Sequence, residues 1–272
     1  MKAAIFFNYS RIDDKEQESI LKEINNHKIE TCVFDQYCVD GLDNIDIVMT
    51  FGGDGTVLRA VNVAFKSNVP ILSFKVGSVG FLASFELEDL NRALRLLLEK
   101  RLIEDKRKLL KIDMRKTSFM ALNDCVLERG SPSRTVEFEI RIADYSPYLI
   151  IGDGVVISTS TGSTAYNLAA GGALTDPRSD VYQITPLSAH NPYVGPIVLA
   201  PDRKGHIMVK ENKNAPVRIY IDGYEAGTIE KRGRITTTLS NKMIGLLREK
   251  EFDFVSVMKK KLAFGGRSRN DL

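Results

Sequence analysis

No stretch of this 272-residue chain comes near the roughly 18 or more consecutive apolar residues that read as a membrane-spanning helix. The opening "MKAAIFFNYSRIDDKEQ" turns polar and acidic before the apolar segment of a signal peptide could finish, so a cytoplasmic protein is expected. Cysteine is scarce: Cys32, Cys38 and Cys125 form neither an even set nor a CxxC, which argues against a disulfide framework or a thiolate zinc site and for reduced packing residues. An excess of one charge is missing too. The 38 basic and 35 acidic side chains leave a net charge of +3, spread along the chain, so the basic stripe of a nucleic-acid binder is absent. "MKKKLAFGGRSR" is the one basic cluster, and it reads as a solvated tail. No GxxxxGK[ST], GxSxG or HExxH occurs, and His27, His190 and His206 lie far apart, so a P-loop, a hydrolytic triad and a histidine zinc site are not expected.

What is present is the balance of a globular protein, 43% hydrophobic and 27% charged, long enough for one large domain or two ordinary ones. In the first hundred or so residues short apolar runs alternate with amphipathic ones: "KAAIFFNY", "DDKEQESILKEINNH", "ETCVFDQY", then "IDIVMTF" with "TVLRAVNVAFKS", and "PILSFKV" with "LEDLNRALRLLLEKRL". That alternation predicts parallel strands with helical crossovers, an open α/β sheet of Rossmann-like type over residues 1–103, with ligands at the carboxyl ends of the strands. The "LLL" at 96–98 is expected to pack in the core. From about residue 104 the runs become β-rich, "KLLKIDMR", "SFMALNDCVLER", "TVEFEIRIAD", "GVVISTST", "PIVLAP", "HIMVK" and "VRIYID", broken by turn residues. These predict an antiparallel β-sandwich-like domain over 104–250. Residues 251–272 are expected to form a terminal helix and tail whose packing partner is left open.

Two stretches carry chemistry. "GGDGT" (52–56) sits on a turn between a buried strand and a helix, at the carboxyl end where ligands bind. Its glycines allow close approach to an anion, Thr56 is expected to cap the helix, and the helix N-terminus attracts phosphate. A carboxylate beside phosphate is unfavourable by charge alone. Asp54 makes sense there as acceptor of a proton from an attacking hydroxyl, or as holder of a divalent metal; the structural alternative is a turn aspartate bonding its own backbone. The second stretch, "GDGVVISTSTGSTAYNLAAGGALTDP" (152–177), follows a strand with a run of hydroxyls and a short helix expected to begin near Ser163. Ser158, Thr159, Ser160, Thr161, Ser163 and Thr164 suit ribose, base edges and phosphate oxygens, and Tyr166 offers a flat face for a purine.

Taken together, "GGDGT", "GSVGFL" (77–82), "LND" (122–124) and "DGVVISTSTGSTAYNLAAGG" (153–172), followed by "ITPLSAHNPYVGPIVL" (184–199) and "IDG" (221–223), resemble the NAD kinase family over nearly the whole chain. The resemblance implies an alcohol-group phosphotransferase that phosphorylates the 2′-hydroxyl of the adenosine ribose of NAD to give NADP, using ATP or polyphosphate and a divalent cation, Mg²⁺ or Mn²⁺. It implies Asp54 as the general base or orienter of that hydroxyl, and Gly52, Gly53, Gly55 and Thr56 near the phosphates. For NAD it implies Phe81 lining the adenosine pocket and Asn123 and Asp124 on ribose hydroxyls. Thr161, Thr164, Ala165 and Tyr166 would surround adenine, with Asp153 on the nicotinamide half and Asp222 near the reacting ribose. Ser188 and His190 lie in a segment that would cross between subunits of a homodimer or homotetramer with shared sites.

Three positions depart from the family pattern: Ser78 where a basic residue is common, Ser160 for a proline and Gly195 for an arginine. Lys75, Arg59, Arg129 and Arg134 are the basic residues that stand as substitutes for the lost phosphate contacts. "GGDGT" is shared with lipid and sugar kinases, so a kinase of that kind is the rival enzyme reading, and a non-catalytic dinucleotide-binding regulator is the rival of another class. The first rival lacks an amphipathic membrane segment near either glycine motif.

Overall fold

A computed structural model describes residues 1–34, 44–77, 80–115, 117–131, 134–191, 194–212 and 215–264; Cys38 and Ser78 lie outside them. In chain order the elements are β1 (Lys2–Phe7), α1 (Asp14–Asn26), β2 (Glu30–Val33), β3 (Ile47–Gly52), α2 (Asp54–Ser67), β4 (Ile71–Lys75), β5 (Phe85–Glu86) and α3 (Leu90–Leu98). There follow β6 (Ile103–Met114), β7 (Thr117–Ala121), β8 (Asp124–Glu128), β9 (Val136–Ile142), β10 (Tyr148–Gly152), β11 (Gly154–Thr159), α4 (Tyr166–Ala169), β12 (Tyr182–Leu187) and β13 (Ile197–Leu199). The chain closes with β14 (Gly205–Glu211), β15 (Val217–Ile221), β16 (Tyr224–Ile229), β17 (Arg234–Arg248) and α5 (Phe254–Leu262). It divides into two compact units, Met1–Lys106 with Ile244–Leu272, and Arg107–Met243. The sequence reading drew its lines at 103 and 250. The long strands β6 and β17 run unbroken through both crossing points, so neither change of unit coincides with the end of an element.

The first unit is the open α/β sheet. β2, β1, β3 and β4 pair in parallel in that order, and the end of β17 joins with Leu246 opposite Ile71. A row of phenylalanines crosses its carboxyl end in register, Phe7 opposite Phe51, Phe51 opposite Phe74 and Phe74 opposite Phe85, with ring centroids 5.3, 4.9 and 6.0 Å apart. Aromatic pairs at these separations contribute roughly 0.5–1.5 kcal/mol each, and here they fix the strand ends from which the "GGDGT" turn departs. α2 buries Val57, Ala60, Val61 and Ala64, the i, i+3, i+4, i+7 stripe of an amphipathic helix. α1 opens with a capping box between Asp13 and Glu16. In α3 the core face is Leu90, Ala93 and Leu94 with Leu97 packed beside them, whereas Leu98 is exposed, so only part of the "LLL" run packs as expected.

The second unit is a sandwich of antiparallel layers. One sheet has the order β13-β12-β11-β8-β15-β16; facing it are β10, β9, β14 and the early part of β17, together with the β6–β7 hairpin. The alternating burial of β9 shows the pattern, with Val136, Phe138, Ile140 and Ile142 turned into a core shared with Cys125, Leu127, Val155, Ile157 and Ile184 of the other layer. The other face of the six-stranded sheet carries Asp124, Val126 and Glu128 on β8, Gly154, Val156 and Ser158 on β11, and Thr185 and Leu187 on β12, in register with one another. Val126, Val156 and Leu187 form a small apolar cluster there, with Ala170 and Tyr220 packed against it.

Candidate functional site

At the end of β3 the chain leaves the Phe51 row at Gly52, and Gly53 is the N-cap of α2, with no side-chain cap bond. Asp54 is the first helical residue. Thr56 is buried within the first turn and does not serve as the cap the sequence suggested, because the helix begins two residues before it. A Cβ at Gly53 or Gly55 would meet no protein atom within 4 Å, so packing within the protein does not require glycine at either position.

The Asp54 carboxylate does not bond the backbone of its own turn. Oδ2 accepts from the Phe81 N–H at 2.8 Å and Oδ1 from the Leu82 N–H at 3.0 Å, 27 and 28 residues away. Gly80 is required by that close approach, since a Cβ there would collide with Oδ1. Lys261 of α5 adds its ammonium to Oδ2 at 3.3 Å and lies 4.6 Å from the centroid of the Phe81 ring. The Phe81 side chain is buried and also meets Phe254.

The second unit holds another aspartate-centred turn. β15 and β16 are joined by the two-residue turn Asp222–Gly223, with φ of 49° and 85°, the Asp-Gly pattern that a type I′ hairpin turn favours. The buried Asp222 carboxylate accepts three backbone N–H groups, from Leu122 at 2.8 Å, Asn123 at 2.7 Å and Asp124 at 3.2 Å. The Asp222 N–H returns to the Asp124 carbonyl at 3.0 Å. The single run read as "SFMALNDCVLER" is therefore two strands, β7 and β8, separated by a turn that Asp222 fixes. Thr159 closes the other side: its hydroxyl donates to the Leu122 carbonyl at 2.6 Å and accepts from the Gly162 N–H at 3.0 Å.

The hydroxyl-rich segment departs from expectation in its helix. Residues Thr161–Thr164 form a 3₁₀ turn, and α4 is one turn beginning at Tyr166. The Ser163 hydroxyl exchanges hydrogen bonds with the backbone of Thr175, and the Asn167 amide donates to the carbonyls of Ser163 and Ala173 while accepting from the Thr185 hydroxyl at 2.7 Å. Side chains that satisfy a returning loop in this way compete with helix extension. Thr161 is buried beside Arg107, Thr164 and Ala165 are half-buried, and the Tyr166 side chain stays exposed. The Tyr166 hydroxyl is pushed up in pKa by burial and by the charges of Glu128, Asp153 and Asp124.

Asp153, at the amino end of β11, pairs with Arg129 at 3.0 Å. Beside it the exposed Ser188, at a φ of 47°, and His190, whose N–H donates to the Ile151 carbonyl at 2.7 Å, follow β12. One end of β11 thus holds Asn123, Asp124 and Thr161, and the other Asp153, Ser188 and His190.

The family model of the ATP-NAD kinase N-terminal domain matches residues 11–102, and that of the ATP-NAD kinase C-terminal domain matches residues 122–248. A protein named NAD kinase from Clostridium botulinum (strain Loch Maree / Type A3) is 36% identical over 265 residues, 93% of this chain and 92% of that protein. The chain belongs to the NAD kinase family. Another member, from Thermotoga maritima, is 34% identical over 267 residues, 98% of this chain and 99% of its own. Among solved structures, yeast NADH kinase complexed with NADH superposes with a TM-score of 0.87 at 20% identity, covering 99% of this chain and 89% of that one. An NAD kinase from Archaeoglobus fulgidus in complex with ATP gives 0.76 at 22%, covering 97% and 98%. This NAD kinase accordingly phosphorylates the adenosine ribose of NAD to NADP, and its fold is that of these structures.

Two carboxyls of this NAD kinase titrate abnormally. Burial, together with the charge of Asp222, pushes Asp124 up to about 7; burial pushes Asp222 up to about 6 against the opposing pull of its three N–H donors. The folded chain therefore holds protons that the unfolded chain has released by about pH 5, so these groups favour folding most at low pH and progressively less as pH rises from about 4 to about 7. Asp124→Asn removes the larger part of this effect. Its melting temperature relative to wild type should be higher at about pH 8 than at about pH 5, as checked by thermal melts at both values; an unchanged difference would contradict the assignment.

Sequence reasoning missed Arg11, whose guanidinium donates to the Val76 carbonyl at 3.0 Å beside Gly77, and Lys261. Of the named substitute cations, Lys75 pairs with Glu86, Arg59 donates to the Phe7 carbonyl at 2.6 Å and Arg129 is held by Asp153. Arg134 and Gly195 lie on exposed loops of the second unit. The signal for Lys261 was the "KKK" run, whose last member alone faces the Asp54 carboxylate.

Proposed function

We propose that Asp54 takes the proton of the NAD 2′-hydroxyl as that oxygen attacks the terminal phosphorus of ATP, with Gly52, Gly53, Gly55 and Thr56 at the donor phosphates. The observation that carries this reading is the anchoring of the Asp54 carboxylate on Phe81 and Leu82. A turn aspartate would spend its oxygens locally; this one is aimed by a separate loop. An ionised carboxylate has about four acceptor positions, and the donor found on Oδ1 among the described residues is the Leu82 N–H, which leaves acceptor capacity for a hydroxyl.

Asn123 and Asp124 take ribose hydroxyls, presented by the turn that Asp222 holds. Phe81 lines the adenosine pocket, Thr161, Thr164, Ala165 and Tyr166 surround the adenine, and Asp153 reaches the nicotinamide half. Catalysis is then mainly positioning and charge stabilisation, as in other phosphoryl transfers. No group of three or more metal-ligating side chains occurs among the described residues. A cation such as Mg²⁺ or Mn²⁺ would be held by the donor phosphates with the Asp54 carboxylate. When bound, that cation neutralises charge on the phosphates. The enzyme works in the cytoplasm as a homodimer or homotetramer in which Ser188 and His190 contribute to a neighbouring subunit's site. No helix among the described residues is long and apolar enough to cross a membrane.

The test is turnover with NAD and ATP, read as NADP by an NADP-specific dehydrogenase. NADP should accumulate with Mg²⁺, stop on adding a chelator and resume on restoring Mg²⁺ or Mn²⁺. Phosphorylation of diacylglycerol without any of NAD would overturn the reading.

A further inference from the structure

We propose that Lys261 is a second catalytic group of the phosphoryl transfer. Its ammonium pairs with Asp54 in the free protein and moves to the transferring phosphoryl oxygens as Asp54 takes the hydroxyl proton. The proposal rests on the reading of Asp54 given above.

The geometry begins with α5. Its N-cap Asp253 accepts from the Ser256 N–H at 3.0 Å, and its first residue, Phe254, meets the Phe81 ring with centroids 6.5 Å apart. Just before the helix, the Arg248 guanidinium lies 4.5 Å from the Phe252 ring centroid, donates to the Phe81 carbonyl at 3.3 Å and pairs with the buried Asp105 at 2.8 Å. The helix is thus tied to the same loop that aims Asp54. Lys261 lies in its last turn, 3.3 Å from Oδ2 and against the Phe81 ring, with its side chain 34% exposed. An ammonium on a flexible four-carbon stem keeps its charge while changing partners.

Other cations near this end of the sheet are directed elsewhere: Arg59 and Arg11 to backbone carbonyls, Lys75 to Glu86. The charge balance then follows from the chemistry. The bond from the 2′-oxygen to the terminal phosphorus forms, and the bond from that phosphorus to the bridging oxygen breaks. The electron pair leaves with the nucleoside diphosphate, and the hydroxyl proton goes to the Asp54 carboxylate. Once neutral, Asp54 attracts the ammonium far less, while negative charge is spread over the oxygens of the transferring group. Lys261 keeps its three protons and changes only its partner.

Lys261→Ala should lower kcat on the order of 100-fold, the effect of removing one donor aimed at developing charge. The KM for NAD should stay within about threefold, since the lost interaction is one made in the transition state. Lys261→Arg should restore part of the rate, whereas Lys259→Ala and Lys260→Ala, on exposed neighbours in the same turn, should behave as wild type. Thermal melts of each variant separate loss of folding from loss of chemistry. A Lys261→Ala kcat within about threefold of wild type, or a loss shared equally by Lys259→Ala, would overturn the proposal. Asp54→Asn is measured alongside: its inactivity with a normal Lys261→Ala rejects Lys261 alone, and its normal turnover rejects the reading of Asp54 as well.

Discussion

Replacing Asp54 by asparagine is expected to lower kcat by about 10²–10⁴-fold, the range a positioned general base contributes, while NAD binds within about threefold of wild type. The two amides that hold the carboxylate explain why the loss of fold should be small. Asparagine has one acceptor oxygen in place of two, so either Phe81 or Leu82 keeps its acceptor and the other N–H loses one, at about 1–3 kcal/mol where solvent does not replace it. In a chain of this size that is a fall of several degrees in melting temperature. Steady-state kinetics with a melt on the same preparation checks both halves of the expectation. Turnover near that of wild type would remove Asp54 from the chemistry.

Asp222→Ala is expected to cost on the order of 3 kcal/mol or more, because the Leu122, Asn123 and Asp124 amides lose their acceptor together inside the second unit. Alanine at a φ near 49° adds strain of about 1–2 kcal/mol. Both terms act on the turn that presents Asn123 and Asp124, so NAD binding should weaken in parallel with stability. Asp222→Asn keeps one acceptor and tolerates the left-handed backbone, and it should fall between the two. Urea unfolding followed by NAD titration gives the comparison. Equal midpoints for wild type and Asp222→Ala would show that the three amides find other partners.

Both layers of architecture were legible in the sequence because each rests on a local period. The 3.6-residue stripe of α2 and the alternation of β9 are written in adjacent residues, and the "GGDGT" turn sits where a strand end meets a helix. The motifs were legible in the sequence, but the bonds that hold their residues were not. Asp54 with Phe81, and Asp222 with Leu122 through Asp124, join residues 27 and 98 to 100 positions apart, and no periodicity reports such pairs. Lys261 was hidden for a further reason. A run of three lysines on an exposed helix end has the composition of a solvated face, and only the ring and ion-pair contacts of α5 single out the third. The short helix after Ser163 failed because Ser163 and Asn167 satisfy the loop at 173–175 in preference to their own helix.

The most direct test of the central claim, that Asp54 directs the 2′-hydroxyl of NAD onto a nucleotide donor, is ³¹P NMR of the products formed from NAD, ATP and Mg²⁺ by wild type and by Asp54→Asn. Wild type should give one new phosphomonoester resonance on the adenosine ribose, matched to authentic NADP, with the NAD pyrophosphate intact and one ADP released per product, and Asp54→Asn should give almost none. ADP and inorganic phosphate without that resonance, or its appearance at the same rate in Asp54→Asn, would contradict the account.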